Sequence, residues 1–291
     1  MGTQARIVLY AGDEVSAREA AAAAFARMIA LDNMLTDWRA DSELMRLCAG
    51  AGNGAQVVSD DLYTILEKSV GFSRESDGAF DVTLGPLTRL WRETRERGEL
   101  PKRERLEAAK ARTGWKRIEF LNDPKAGAKF VRLMPETLLD LGGIAKGYAC
   151  DQALEVLSGH GIESALVEIG GDLVVSAAPP GREAWRVAAG CGSAETNEVI
   201  ALEDAAIATS GDTEQFVIID GERYSHILDP RTGLGLRHSL CISVIARDAT
   251  TADALASAVS VLGIRRGQTL AAKYGVVPLL PGCESVPKLS R

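Results

Sequence analysis

Residues 138–157 have the sequence LLDLGGIAKGYACDQALEVL, and residues 164–177 have the sequence SALVEIGGDLVVSA. The first stretch has the pattern of a strand, a glycine turn and a helix. The second has two β-rich halves separated by Gly170-Gly171, which predicts two strands with a glycine break between them. The middle of the chain is therefore predicted to hold strands, with a glycine turn that leads into a helix.

Helical patterns lie mainly toward the two ends of the chain. Ser16 and Glu19 form a capping-box pattern before an alanine-rich run, and residues 251–263 (TADALASAVSVLG) also have a helical pattern. Further strand candidates lie between residues 185 and 247. This distribution favours an α+β fold over a regular βαβ alternation. We expect a single domain over residues 1–291, with a central mixed or antiparallel sheet and flanking helices, because the sequence shows neither a Pro/Ser-rich linker nor a long repeat.

The composition excludes several classes of protein. The 291 residues are 46% hydrophobic and 25% charged, which is ordinary for a globular protein. The net charge of −7 and the lack of a basic run argue against a nucleic-acid binder. Five cysteines without CxxC spacing predict free buried thiols rather than a disulfide framework or a zinc site.

The N-terminal sequence bears on the compartment of the protein. It reads MGTQARIVLYAGDE and lacks the charged and then apolar pattern of a signal peptide. No apolar run approaches the roughly 20 residues that span a bilayer. We expect either a cytoplasmic protein or one whose leader was trimmed before this numbering begins.

The segment DLGGIAKG, residues 140–147, has the character of a phosphate site. A glycine turn that leads into a helix offers free backbone N–H groups and the positive end of the helix dipole, and Lys146 adds a full positive charge. The spacing matches neither a Walker A loop nor GxGxxG. A tight strand–helix turn with a surface lysine is the structural alternative.

Two further glycine-punctuated segments carry polar groups. ATSGD, residues 208–212, places the Ser210 hydroxyl where it can donate to a phosphate or a ribityl chain, although this composition is also common in turns. SHILDPRTG, residues 225–233, contains His226, one of three histidines in the chain. A histidine can act as a general base near neutral pH, but a lone histidine can equally be structural.

A fourth segment, ADALAS (residues 252–257), is predicted to be helical. Asp253 and Ser257 are four residues apart, so they share one helix face among alanines. A carboxylate and a hydroxyl in this arrangement suit a hard cation such as Mg²⁺, which prefers oxygen ligands. The alternative is an aspartate that complements the helix dipole next to a packed serine.

Taken together, in this order and spacing, these segments resemble the ApbE family of flavin transferases. The similarity extends from Met1 to Gly263. It rests on seven segments: Trp38 with Ser42-Glu43-Leu44, GAFDVTLGPL (78–87), DLGGIAKGYACD (140–151), EIGGD (168–172), ATSGD (208–212), SHILDPRTG (225–233) and ADALAS (252–257). No single segment is decisive, but the set is highly specific.

The resemblance implies a site for FAD and a site for Mg²⁺. The residues that it assigns to FAD are Met1, Trp38, Ala79, Phe80, Asp81, Gly142, Lys146, Tyr148, Ser210 and Ile227. The ligands that it assigns to Mg²⁺ are the backbone oxygen of Ala145, the carboxylate of Asp253, the hydroxyl of Ser257 and the backbone near Ala256. It makes His226 the catalytic candidate.

Two positions depart from the family's usual pattern. Ser257 stands where threonine is usual, and it keeps the hydroxyl that a metal needs. Glu168 precedes Gly170-Gly171 where asparagine is common nearby, so the resemblance implies no role for it.

The activity implied by the resemblance is a Mg²⁺-dependent transfer of FMN from FAD to a Ser or Thr hydroxyl of an acceptor flavoprotein, with release of AMP. The first alternative is an FAD pyrophosphatase that uses water in place of the acceptor hydroxyl and yields FMN and AMP. The second is a non-catalytic FAD-binding protein.

Overall fold

The computed structural model describes residues 2–123, 127–190, 198–211, 215–238, 240–276 and 278–279. The helices are α1 (Glu14–Leu35), α2 (Glu43–Ala49), α3 (Asp60–Glu75), α4 (Gly85–Arg97), α5 (Arg103–Lys110), α6 (Ala145–Gly159) and α7 (Ala249–Lys273). The strands are β1 (Ala5–Tyr10), β2 (Ala55–Val58), β3 (Ile118–Asp123), β4 (Ala128–Leu133), β5 (Ser164–Ile169), β6 (Asp172–Val175), β7 (Trp185–Ala189), β8 (Glu198–Leu202), β9 (Ala205–Ser210), β10 (Phe216–Ile219), β11 (Glu222–Ser225), β12 (Leu228–Asp229), β13 (Leu234–Gly235), β14 (Ile242–Ala246) and β15 (Pro278–Leu279).

The chain divides into two compact units. The first contains residues 1–32, 144–211 and 241–291, and the second contains residues 33–143 and 212–240. Helices and antiparallel strands occur in both, which confirms the α+β class. The single domain over residues 1–291 stays a prediction.

The first unit is built on an antiparallel sheet with the strand order β1-β5-β6-β9-β14-β15. Leu166, Leu173, Val175, Ile207 and Ile245 point to one face of this sheet, where they share a buried cluster with the β7–β8 hairpin. Side chains at the alternate positions point to the opposite face. Helices α6 and α7 pack on the sheet and on each other.

The second unit contains a three-stranded antiparallel sheet, β2-β4-β3, and the hairpins β10–β11 and β12–β13. A buried cluster in this unit joins α4 and α5 to these hairpins through Leu87, Trp91, Ala109, Ile219, Tyr224 and Leu228. Pro86 lies in the first turn of α4, where the missing N–H of proline costs no helical hydrogen bond.

Several local predictions were wrong, each for an identifiable reason. Helix α1 begins at Glu14 because the Asp13 carboxylate, rather than Ser16, accepts from a backbone N–H of the first turn. Residues 138–141 form no strand; Asp140 N and Leu138 O instead make isolated hydrogen bonds to Val82 O and Gly85 N. Residues 208–210, whose composition is also common in turns, belong to strand β9, which was not among the strand candidates.

The cysteines also differ from the expectation. Cys48 and Cys150 are buried free thiols as predicted, whereas Cys241 is disulfide-bonded. Dispersal along the sequence does not keep two cysteines apart once the chain folds.

Within the described ranges, no helix combines the length and the apolar character that a bilayer crossing requires.

Candidate active site

A lysine and two aspartates form a cluster in the first unit. Lys146 Nζ lies 2.5 Å from Asp172 Oδ2 and 3.2 and 3.3 Å from the two carboxylate oxygens of Asp253. The Asp172 and Asp253 side chains are 2% and 6% exposed, and that of Lys146 is 25% exposed. Two carboxylates therefore face one ammonium in a largely water-free setting.

The three side chains come from three elements. Lys146 lies in the first turn of α6, Asp253 lies near the start of α7, and Asp172 is the first residue of β6. Asp172 follows Gly170 and Gly171, whose φ angles of 58° and 91° make a tight turn that glycine adopts without strain. Leu173 points toward the β7–β8 hairpin, so Asp172 points to the opposite face, toward α6 and α7.

Glycine and aspartate in the first half of α6 fix its position against α7. A Cβ on Gly147 would lie 2.1 Å from Ala249 O, so only glycine permits this approach. Asp151 accepts hydrogen bonds from Ala249 N (2.7 Å) and Thr250 N (2.9 Å), which caps the start of α7. Gly147 N in turn donates to Asp253 Oδ2 at 3.1 Å. The segment DLGGIAKGYACD thus has a packing role as well as a polar one.

Replacing Gly147 by alanine is expected to destabilise the protein by about 3 kcal/mol or more, because the added Cβ meets a backbone carbonyl that cannot rotate away. Thermal unfolding measures the change. Gly71 in α3 is the matched control, since nothing lies within 4 Å of its added Cβ. There alanine is expected to stabilise by about 0.4–1 kcal/mol. Equal effects at the two positions would contradict the close α6–α7 contact.

The charges in the cluster shift the pKa values of its members. Burial, and then the Asp253 carboxylate, raise the pKa of Asp172 to about 8, against the opposing effect of Lys146. Burial lowers the pKa of Lys146, but the Asp253 and Asp172 carboxylates outweigh it and raise the pKa above its ordinary value. Lys146 is therefore a cation near neutral pH, while the Asp172 carboxyl holds its proton more strongly than an ordinary aspartate does.

The donor set near this cluster fits a hard cation. Asp253 and Ser257 are four residues apart in the part of α7 that precedes its kink at Gly263, and Ala256 lies between them on the same turn. Among the described residues, the Ser257 hydroxyl has no hydrogen-bond partner. Carboxylate and hydroxyl oxygens are ligands that suit Mg²⁺. The described ranges hold no group of three or more His, Cys, Asp or Glu side chains placed for a metal, so a cation here also needs backbone, water or phosphate oxygens.

Other predicted residues of the first unit lie close to these in the fold. Ala145 and Tyr148 belong to the first turn of α6 and are buried. Ser210 ends β9, where it pairs with Ile242. Because Ile207 points to the β7–β8 side, Ser210 points to the face that Asp172 shares. Met1 lies outside the described residues.

In the second unit, Asp81 has a structural role. Its buried carboxylate accepts from Thr83 N (2.8 Å), Thr83 Oγ1 (2.7 Å) and Trp115 N (2.9 Å). Burial raises the pKa of Asp81, although these hydrogen bonds oppose the shift. Ala79 and Phe80 are also buried, and Phe80 makes an edge contact with Phe72 at 6.1 Å. The Asp81 carboxylate therefore holds this loop together, and its contact with FAD stays a prediction.

His226 has a defined orientation. Its backbone N and its ring Nδ1 lie 3.0 and 3.1 Å from the carbonyl oxygen of Gln215. A carbonyl only accepts, so Nδ1 carries the proton and Nε2 is the basic nitrogen of the neutral ring. Trp91 Nε1 donates to Ser225 O at 3.2 Å, which ties the strand before His226 to α4. Ile227 N donates to Ser225 Oγ at 3.0 Å.

Trp38 and Gly142 lie at the surface. Trp38 is 74% exposed, and the Arg92 guanidinium lies 4.0 Å from its ring centroid. Arg92 also pairs with Asp37 at 2.7 Å, which holds the guanidinium over the ring. Gly142 N donates to Asp140 Oδ1 at 2.8 Å. An exposed aromatic ring of this kind offers a free face to a flat ligand such as a flavin.

The sequence patterns did not select Asp172 and Asp151 as site residues. Asp172 follows the predicted glycine turn, and Asp151 lies in the predicted helix. The alternation in β6 was the available signal for Asp172, because Leu173 and Val175 fill one face and leave Asp172 on the other.

Comparisons with known proteins identify the family of this chain. The model of the ApbE family matches residues 1–280. An FAD:protein FMN transferase of Klebsiella pneumoniae is 32% identical over 283 residues, which cover 95% of this chain and 80% of that protein. One of Treponema pallidum is 34% identical over 257 residues, which cover 83% of this chain and 71% of that protein.

Solved structures of similar proteins extend the comparison. The flavin transferase ApbE from Vibrio cholerae superposes with a TM-score of 0.84 at 30% identity, covering 96% of this chain and 90% of that one. The ApbE protein from Thermotoga maritima gives a TM-score of 0.84 at 32% identity, covering 97% and 92%. With its fold, its motifs and these likenesses in agreement, the chain belongs to the ApbE family.

Proposed function

We propose that this protein is an FAD:protein FMN transferase that uses Mg²⁺ to move FMN from FAD to a Ser or Thr hydroxyl of an acceptor flavoprotein. The contact of Lys146 and Gly147 N with Asp253 is the main structural support, because it joins a cationic helix start to a carboxylate. Relatives that cover most of this chain are named for this activity.

The reaction is a displacement at phosphorus. The acceptor oxygen forms a bond to the FMN phosphorus of FAD, the pyrophosphate P–O bond to the AMP portion breaks, and AMP leaves with the electron pair. The proton of the acceptor hydroxyl passes to a base. Nothing is oxidised or reduced, so the isoalloxazine ring is cargo.

Lys146 suits the stabilisation of the leaving phosphate. Its ammonium is fixed by two carboxylates and its side chain is a quarter exposed, so little reorganisation is needed for it to meet an anion. A Mg²⁺ ion held by Asp253, Ser257 and the backbone oxygen of Ala145 would neutralise phosphate charge at the same place.

His226 suits the role of the base. The Gln215 carbonyl orients its ring through Nδ1, so Nε2 is the nitrogen that would accept the hydroxyl proton. If water instead of the acceptor hydroxyl gave up the proton, the same residues would hydrolyse FAD to FMN and AMP.

A pair of substitutions at Ser257 tests the proposed ligand. Ser257→Thr keeps the oxygen and is expected to leave the Mg²⁺ concentration for half-maximal rate unchanged within about threefold. Ser257→Ala removes the oxygen and is expected to raise that concentration by about 10-fold. The measurement is AMP release from FAD as a function of Mg²⁺. The same Mg²⁺ dependence in the alanine variant and the parent would remove Ser257 from the ligand set.

The proposed function itself is tested by FAD binding and cleavage. We expect saturable binding, followed by flavin fluorescence, and AMP release that stops when EDTA removes Mg²⁺. Bound FAD that survives with Mg²⁺ and an acceptor present would indicate a non-catalytic FAD-binding protein.

A further inference from the structure

The Lys146 ammonium is shared unequally by its two carboxylates. It lies 2.5 Å from Asp172 Oδ2, and no closer than 3.2 Å to Asp253. Asp253 also accepts from Gly147 N at 3.1 Å, so part of its charge is compensated without the lysine. In the described contacts, the Asp172 carboxylate has Lys146 as its hydrogen-bond donor. Asp172 is thus the closer partner of the lysine.

The backbone holds Asp172 in place more firmly than a helix surface would. Asp172 begins a strand in the interior of the sheet, between β5 and β9, and it pairs with Ile169 across a two-residue glycine turn. Its side chain is 2% exposed, so water cannot replace the lysine as its partner. Asp253, by contrast, lies on the same helix face as the Ser257 hydroxyl, and this face is where a cation would bind.

We propose that Asp172 is a positioning residue that retains the Lys146 ammonium and so leaves the oxygens of Asp253 available to a divalent cation. This inference rests on the proposed use of Mg²⁺. Without Asp172, Lys146 has Asp253 as its remaining acidic partner, and the ammonium and the cation compete for the same oxygens. With Asp172, the lysine stays in place while the cation binds.

Binding of Mn²⁺ alone, without FAD, tests this role. Mn²⁺ accepts the same oxygen ligands as Mg²⁺, and electron paramagnetic resonance counts its free form. We expect Asp172→Asn to weaken Mn²⁺ binding about 10–100-fold. Lys146→Met should strengthen binding, because it frees Asp253 from its competitor. The double variant should bind within about threefold of the parent, because the competitor and its anchor are both absent.

Glu168→Gln is the matched control. Glu168 lies in the same hairpin, but it points to the other face and pairs with Arg6 at 2.6 Å. The Glu168→Gln substitution removes one negative charge near the turn and should leave the affinity for Mn²⁺ unchanged. Circular dichroism and thermal unfolding monitor the fold of each variant. If Asp172→Asn alone does not fold, the double variant still tests the idea, because it contains no unpaired ammonium.

The possible outcomes separate this role from others. A double variant that binds as poorly as Asp172→Asn would make Asp172 a direct ligand and overturn the proposal. Parent-like affinity in Asp172→Asn, with a lowered melting temperature only, would make the residue merely structural and also overturn it. A parent that binds no Mn²⁺ would refute the proposed metal use itself, which is a distinct failure.

Discussion

Replacing His226 by alanine is expected to slow FMN transfer by about 10²–10⁴-fold, the usual contribution of a general base. The affinity for FAD should change only several-fold, since one lost contact is worth about 1 kcal/mol. The reason is geometric: the Gln215 carbonyl lies 3.1 Å from Nδ1, so Nε2 is the nitrogen able to take a proton. The two effects therefore separate catalysis from binding.

The measurement pairs the dissociation constant of FAD with the single-turnover rate of transfer or of AMP release. His160→Ala is the control, because His160 lies exposed at the C-terminal end of α6, and it should match the parent in both quantities. A large loss of FAD affinity with an unchanged rate would make His226 a binding residue. If rate and affinity were both unchanged, the base would lie elsewhere.

Replacing Asp253 by alanine is expected to lower Mg²⁺-dependent turnover by at least about 10³-fold. The substitution removes the carboxylate proposed to hold the cation, and it also removes a partner of Lys146 and the acceptor of Gly147 N. The lost charge cannot be supplied by Ser257, whose hydroxyl is neutral. Far-UV circular dichroism should match that of the parent, because α7 keeps its Asp248 cap.

Asp248→Ala provides the comparison for Asp253→Ala. Asp248 accepts from Thr251 N at 2.8 Å and caps α7 without contacting the cluster. Its loss should cost about 0.5–2 kcal/mol of stability and leave the Mg²⁺ dependence unchanged. If Asp253→Ala turned over FAD normally at ordinary Mg²⁺ concentrations, the carboxylate would be a structural helix residue and the proposed metal site would be wrong.

Local chemistry in the sequence makes Lys146 and Asp253 candidates, but it does not bring them together. Each belongs to a short pattern, a glycine turn before a helix in one case and an aspartate–serine pair in the other. Their contact depends on how closely α6 approaches α7, which Gly147 permits and Asp151 secures. Such contacts between residues 107 positions apart follow from the fold rather than from local patterns.

Small residues occur in both turns and strands, so a local pattern of small residues does not distinguish the two. The end of AAIATS, residues 205–210, has a composition that is also common in turns. It nevertheless forms a strand inside the sheet, because the neighbouring strands β6 and β14 supply hydrogen bonds on both sides. Tertiary pairing outweighed local propensity there. The strand that contains Asp172 was predicted, but its local sequence does not show that the carboxylate faces Lys146.

The most direct test of the proposed FMN transfer is the mass of an acceptor protein after the reaction. A candidate apo-flavoprotein is incubated with the protein, FAD and Mg²⁺, next to a version in which its acceptor Ser or Thr is alanine. We predict that the intact acceptor gains the mass of one FMN less one water, that AMP appears in equal amount, and that the alanine version gains nothing. An unmodified acceptor, with FMN and AMP accumulating free in solution, would contradict the account and identify an FAD pyrophosphatase.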